Sequence, residues 1–362
     1  MSGSRVSLHG LVVGVVLLLL GGVIGACGTW RLQLEDLPEA PIAFLHWSGK
    51  AAEERSELFA KMGEAPPIPA NAGHPDLLQA MAVRSHLRGD EIVQLREKVK
   101  EKPGRLTLFW PRTGEMERVD AAPANAVPLS WSADGLRLLI ASDHRDQQEQ
   151  LYEYHRIRKD LRRVTYGPQE HARGAYGTDD RLVVQRMTLR RQEPAPLMTV
   201  HRLDAGGRAG PVLAEAVPPG TIRVVPGSDQ IVFEQVVPRP RRNGPAVLES
   251  FIAVQALARG SEAKLLLRGR EPSLTPDGQW IVFASKSTAG YRLRRMRLDG
   301  TTRVQIGPGG TEERMPSVSP DGRFVAFVQF EYGRRRLAVR RFDGKDDRVL
   351  LTSGWSEFPV WR

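Results

Sequence analysis

Residues 316–328, Pro316-Ser317-Val318-Ser319-Pro320-Asp321-Gly322-Arg323-Phe324-Val325-Ala326-Phe327-Val328, repeat without a gap the pattern of Pro272-Ser273-Leu274-Thr275-Pro276-Asp277-Gly278-Gln279-Trp280-Ile281-Val282-Phe283-Ala284. Each copy carries a short strand into a Pro-Asp-Gly turn and then into an apolar run of strand length. A third copy, Pro128-Leu129-Ser130-Trp131-Ser132-Ala133-Asp134-Gly135 followed by Leu138-Leu139-Ile140-Ala141, lacks only the second proline. Two worn copies lie between, Gly177-Thr178-Asp179-Asp180 before Leu182-Val183-Val184 and Pro226-Gly227-Ser228-Asp229 before Ile231-Val232-Phe233. Asp134, Asp179, Asp229, Asp277 and Asp321 are spaced by 45, 50, 48 and 44 residues. A fixed period of about that length, built of short strands, is the mark of a propeller in which each repeat is one blade.

The second half of each unit is a hairpin. Leu293 to Leu298 runs into Asp299-Gly300 and then Val304 to Ile306, and Leu337 to Phe342 runs into Asp343-Gly344 and then Val349 to Leu351. Asp-Gly between alternating strands is a strong hairpin signal because glycine tolerates the positive φ of the turn. Four antiparallel strands per unit follow, and such a unit buries its faces only by stacking on neighbours. The chain ends on Phe358-Pro359-Val360-Trp361, an opening strand with nothing after it. Ile42-Ala43-Phe44-Leu45 matches a second strand, Leu106-Thr107-Leu108-Phe109 a third, and Arg118-Val119 a fourth. Five contiguous blades and one closed from both termini predict an all-β, six-bladed ring over residues 41–362, with no exposed strand edge at the seam.

The closing blade carries an insertion of about residues 50–103. Its pattern is helical: Ala52 to Met62, then, past Pro66, Pro67 and Pro69, Asp76 to Leu87 and Asp90 to Lys102, with Leu77, Leu78, Met81, Ile92, Leu95 and Val99 at helical spacing. Such insertions either bind or cap.

At the N-terminus, Arg5 precedes an apolar run from Leu11 to Ile24 that ends in Gly25 and Ala26, the order of a signal peptide over residues 1–26. The run falls short of the roughly 20 residues a membrane span needs. Ile24-Gly25-Ala26-Cys27 resembles a bacterial lipobox, and that resemblance implies diacylglycerol on the thiol of Cys27, the single cysteine of the chain. With two or more acyl chains, anchoring is lasting. Residues 27–40 read as a tether. Gly28 stands where an aspartate retains some lipoproteins at the inner membrane, which directs this one to the outer membrane, with the propeller in the periplasm or at the cell surface.

The repeats resemble the TolB-like family of β-propellers, whose unit opens with a Pro-x-Trp-Ser-Pro-Asp-Gly-like turn. They are similar also to the blades of prolyl oligopeptidase relatives. The match is fullest from Pro128 through Trp131-Ser132-Ala133-Asp134-Gly135, Ser142-Asp143-His144-Arg145-Asp146 and Gln150-Leu151-Tyr152, and it weakens in the units of Asp179 and Asp229. The resemblance implies an envelope protein as partner. No residue names that protein, and the fold does not by itself specify function.

The net charge of +10 and a pI near 10 raise nucleic acid as a ligand. The basic residues are scattered, with short runs at Arg239 to Arg242 and Arg334 to Arg336 rather than one stripe, so they read as a solvated basic face with no nucleic-acid role. Asp134, Gly135, Asp277, Gly278, Asp321 and Gly322 read as turn residues, since Asp accepts hydrogen bonds from the turn backbone and Gly supplies its φ. They are not read as metal ligands, and the eight histidines lack zinc spacing. His144-Arg145-Asp146 stands without the other kinase motifs and Arg88-Gly89-Asp90 is a short chance match. Gly354-Trp355-Ser356-Glu357-Phe358 comes nearest to a nucleophile turn but lacks the final glycine. No catalytic residue and no cofactor are therefore assigned. The reading is a lipid-anchored, non-enzymatic envelope scaffold that binds protein; the alternative is a propeller whose axial pocket binds or hydrolyses an anionic glycan or peptide. Convergent charges in the channel favour the second, an apolar patch on a rim or on the insertion the first.

Overall fold

The computed structural model describes residues 32–62, 103–145, 149–166, 173–177, 179–188, 197–204, 206–215, 220–239, 247–288, 290–308, 310–331, 333–351 and 353–362. Six four-stranded antiparallel sheets close into a ring. Blade 1 is β4 (Val127–Trp131), β5 (Arg137–Ser142), β6 (Gln150–His155) and β7 (Asp160–Arg163); blade 2 is β8 (Arg173–Tyr176), β9 (Leu182–Thr188), β10 (Leu197–Leu203) and β11 (Ala209–Glu215). Blade 3 is β12 (Ile222–Val224), β13 (Gln230–Arg239), β14 (Val247–Ala256) and β15 (Lys264–Arg268); blade 4 is β16 (Arg270–Leu274), β17 (Trp280–Ser287), β18 (Gly290–Arg297) and β19 (Val304–Gln305). Blade 5 is β20 (Glu312–Val318), β21 (Phe324–Glu331), β22 (Arg334–Arg341) and β23 (Asp347–Val349). The closing blade takes its inner strand, β24 (Trp355–Trp361), from the C-terminus and the other three, β1 (Ile42–Trp47), β2 (Arg105–Trp110) and β3 (Glu115–Arg118), from the N-terminal part of the chain. This is the closure the sequence predicts.

Second strands are sandwiched between neighbouring blades, so both of their faces are apolar. Phe324, Val325, Ala326, Phe327 and Val328 of β21 are all buried. Outer strands such as β3 and β15 carry Glu, Arg and Lys, which discourages pairing with other chains. At the turn after each inner strand, Gly135, Gly278 and Gly322 adopt φ of 65°, 68° and 71°, while the preceding aspartate takes the backbone N–H two residues on.

The serine of the Pro-Ser repeat has a separate task. Ser130 Oγ accepts from Tyr176 N at 3.3 Å, Ser273 Oγ from Val318 N at 3.1 Å and Ser317 Oγ from Trp361 N at 2.8 Å. Each hydroxyl thereby staples its own inner strand to that of the next blade. Ser317→Ala leaves the N–H of Trp361 without this acceptor, and we expect about 1–3 kcal/mol of lost stability in urea unfolding. A loss inside the ±0.5 kcal/mol typical of surface changes would show that water serves that N–H equally well.

Two boundaries differ from the sequence reading. The insertion begins with α1 (Gly49–Met62), three residues ahead of Ala52, because Lys50, Ala51 and Ala52 favour helix as soon as the chain leaves β1. The expected helices over Asp76 to Leu87 and Asp90 to Lys102 lie outside the described residues. Residues 32–40, read as the end of the tether, are packed on the ring. Leu32, Leu37 and Ala40 join a cluster with Phe324, Leu337 and Val339, and Asp36 pairs with Arg341 at 3.1 Å. Among the described residues no helix is long and apolar enough to cross a membrane.

Candidate functional site

Antiparallel pairing puts the β21–β22 hairpin, the starts of the inner strands and the β1–β2 connection on one face of the ring. α1, the described start of the insertion, therefore leaves the ring at that mouth. Ala51 and Ala52 of α1 pack on a cluster containing Trp47 and Trp355, and Arg55, one helical turn on, shares their side of the helix. Ser56 Oγ donates to the carbonyl of Gly333 at the tip of the blade 5 hairpin.

From Arg55 an arc of alternating guanidinium and aromatic groups runs along the mouth. Arg55 stacks 3.9 Å from the Trp47 ring and lies 5.7 Å from that of Trp355. Arg335 follows, 4.6 Å from Trp355 and 4.5 Å from Phe330; then Arg314, 5.8 Å from Phe330 and 4.9 Å from Tyr291; then Arg270, 5.9 Å from Tyr291. These are distances at which a cation is attracted by the ring face. Three carboxylates neutralise the arc. Glu357 binds Arg55 at 3.1 Å and also Arg335, Glu271 binds Arg314, and Glu234 binds Arg270 at 2.9 Å. Glu271 reaches on to the backbone N–H of Met315 at 2.8 Å, so it too joins blade 4 to blade 5.

Burial alone would raise the Glu357 carboxyl; Arg55 and Arg335 beside it, with the Trp355 indole N–H, hold it below the usual carboxylate range. Glu271 is likewise raised by burial and brought down further by Arg314 and Arg270. Burial lowers the Arg335 guanidinium to about 10. Glu357 and Glu271 are thus ionised at neutral pH, and each of the three carboxylates is already committed to arginine. Such an arrangement holds elements in place; it leaves no poised acid or base.

Ser356 of the candidate nucleophile turn lies within β24, not on a strand-to-helix turn, and is 1% exposed. His46 Nδ1 is 3.4 Å from its Oγ, with the imidazole pKa lowered by burial. No carboxylate is seen to orient that imidazole among the described residues. The turn residues lie at the opposite face of the ring. Asp134 is held acidic by the Ser132 hydroxyl and Leu136 N, and Asp277 by Thr275; at Asp321, burial is overcome by Ser319 and Arg323. Cys27, Arg88-Gly89-Asp90 and Asp146 lie outside the described residues.

The run Arg334 to Arg336 corrects the reading of a solvated basic face. Arg334 is exposed, Arg336 meets Glu331 at 3.2 Å, and Arg335 between them is 3% exposed against Glu357. The period-two pattern of β22, which puts Arg335, Leu337 and Val339 on one face, held that information. Arg55, Arg314 and Glu271 were not singled out in the sequence, and Glu357 entered only as a member of the run around Ser356. The available signal was the charged residue just ahead of, or one before, the strand proline in Glu271-Pro272, Arg314-Met315-Pro316 and Glu357-Phe358-Pro359. There Glu271, Met315 and Phe358 adopt φ of 56°, 52° and 55°.

No family model matches the sequence, and no curated protein matches it. Solved structures do match in fold. TolB from Acinetobacter baumannii superposes with a TM-score of 0.59 at 14% identity, over 89% of this chain and 66% of that one. A chain assigned as TolB from Agrobacterium tumefaciens gives 0.53 at 20% identity, over 67% and 87%. Hydrazine synthase of Kuenenia stuttgartiensis gives 0.59 at 13% identity, over 90% and 47%. The chain thus spans just under two thirds of the first and about half of the third. The fold is a six-bladed propeller of the kind found in TolB, and the same ring occurs within an enzyme, so function is argued from this chain's own residues.

Proposed function

We propose that this chain is a non-enzymatic lipoprotein of the cell envelope, a TolB-like propeller that presents its insertion to a protein partner. The observation that carries the reading is the seating of α1. Arg55 is 6% exposed, wedged against Trp47 and bound to Glu357, so the ring holds the root of the insertion in one position. A segment fixed before it meets its partner loses less freedom on binding. The arginines and carboxylates at the mouth are spent on one another, which argues against an open anionic-substrate pocket there. Among the described residues the exposed large apolar side chains, Met116, Ile157, Tyr166, Leu265 and Val304, are spread over four blades. Cys27 supplies the lipid, and Gly28 directs the protein to the outer membrane.

Crosslinking in intact envelopes, with Cys27 retained, tests this. We expect one envelope protein to be captured by the whole chain and lost when residues 63–102 are replaced by a short linker that spares α1. Equal capture by both forms would sink the insertion as the binding surface. Metabolic labelling with a fatty acid, present in the parent and absent in Cys27→Ala, checks the anchor.

A further inference from the structure

The inner strands contain four arginines, and three of them face a carboxylate: Arg173 meets Glu149 at 2.8 Å, Arg270 meets Glu234 and Arg314 meets Glu271. The fourth, Arg223 on β12, has no ion pair among the described residues. Its place in the repeat is informative. Arg223 lies opposite Val232 in blade 3 as Ser273 lies opposite Val282 in blade 4, so it occupies the position of the stapling serine. Where Ser130, Ser273 and Ser317 put an acceptor against the next inner strand, blade 3 puts a long cationic donor.

That side chain does not stay with its neighbour. Nη1 donates to the carbonyl of Leu129 in blade 1 at 2.9 Å, with a longer contact of 3.4 Å to its own neighbour, the carbonyl of Ile222. Blade 2 stands between those two blades, so the side chain reaches past the inner strand of blade 2 along the axial side of the ring. Nε and Nη2 donate to no acceptor among the described residues. These two nitrogens form the edge of the guanidinium that matches two oxygens of a carboxylate or phosphate. Arg223 is partly buried, and neither of these nitrogens is among the fully buried side-chain atoms left without a partner, so the edge keeps some contact with solvent. Burial holds its pKa down to about 10, and it remains charged at neutral pH.

We propose that Arg223 forms an oxyanion-binding site in the axial channel, holding a small carboxylate- or phosphate-bearing ligand through its Nε–Nη2 edge while Nη1 stays braced on Leu129. The site is independent of the scaffold reading, since it uses the channel and not the insertion. A partly desolvated cation without an ion-pair partner attracts an anion more strongly than one at the surface.

Titration calorimetry on the whole chain in non-ionic detergent, at fixed ionic strength, tests it with inorganic phosphate and with acetate as probes. We expect saturable binding of at least one, weakened tenfold or more in Arg223→Met and unchanged in Arg348→Gln, an exposed arginine of β23. Preference for phosphate or for acetate tells a tetrahedral from a planar ligand. Absence of binding in the parent, or equal binding in Arg223→Met, overturns the site and leaves Arg223 a brace. Should Arg223→Met fail to fold, crystals of the parent soaked in selenate decide: anomalous density on the Nε–Nη2 edge supports the site, and density absent there overturns it. Neither result touches the crosslinking outcome.

Discussion

Deleting residues 355–362 abolishes cooperative folding. The last strand of the chain is the inner strand of the closing blade, and its loss opens the ring between blades 5 and 1. Trp355 and Trp361 are 2% and 5% exposed. Each tryptophan buries on the order of 200 Å², and at about 25 cal/mol per Å² the pair contributes roughly 10 kcal/mol. That matches the whole stability of a typical domain, about 5–15 kcal/mol. The strand also ties three neighbours together through polar contacts. The Trp131 indole donates to the carbonyl of Val360 and the Trp361 indole to that of Ala40, each at 3.0 Å, and the N–H of Trp361 donates to Ser317. Without β24, the backbone edge of β1 is bare and open to pairing with other chains. Urea unfolding followed by far-ultraviolet circular dichroism should show a broad, non-cooperative loss of signal, with dye binding to exposed apolar surface in native buffer. A sharp transition at the parent midpoint would mean that five blades and a three-stranded remnant suffice.

The ring was legible because a propeller writes the same requirement many times. Asp277-Gly278 and Asp321-Gly322 each need a side-chain acceptor and a positive φ at one place in a unit, so the period survives even where Asp179 and Asp229 have lost the surrounding motif. Closure was legible for the same reason: Phe358-Pro359-Val360-Trp361 is an opening strand without its unit, and Ile42 to Leu45 a second strand without an opening one. The arc at the mouth obeys no such repetition. Arg55 comes from the insertion, Arg335 from a third strand and Glu357 from an inner strand, and their meeting depends on two blades and a helix being in place together. Leu32 and Leu37 were missed because Leu32, Leu34 and Leu37 in a short, largely polar stretch show no clear period; only the groove beside Phe324 and Leu337 explains them. Arg223 is the plainest case. The copy that holds it is worn, and aligning it on Asp229 hides the fact that the strand register gives it the serine's place.

Glu357→Ala costs about 3–5 kcal/mol, because it strands two buried arginines where the parent buries a neutralised group. Arg55 and Arg335 both turn on this one carboxylate, which is itself 0% exposed. Arg55→Met should cost less, since Glu357 keeps Arg335 and the thioether lies along the Trp47 ring. The two variants separate ring from insertion. In Arg55→Met, hydrogen exchange should quicken in residues 49–62 with little change in β21 and β22, whereas in Glu357→Ala both should loosen. The same carboxylate sets an acid limit. Its folded pKa lies below its ordinary value of 4.5, so its contribution is complete above 4.5 and is lost as the pH falls through the folded value. The parent's urea midpoint should therefore drop on acidification below 4.5, and Glu357→Gln should flatten that drop without removing it, because Glu271 is depressed in the same way by Arg314 and Arg270. A Glu357→Ala penalty under about 1 kcal/mol, with an unaltered acid limb, would mean that water reaches the arc and that the insertion is held by its alanines alone.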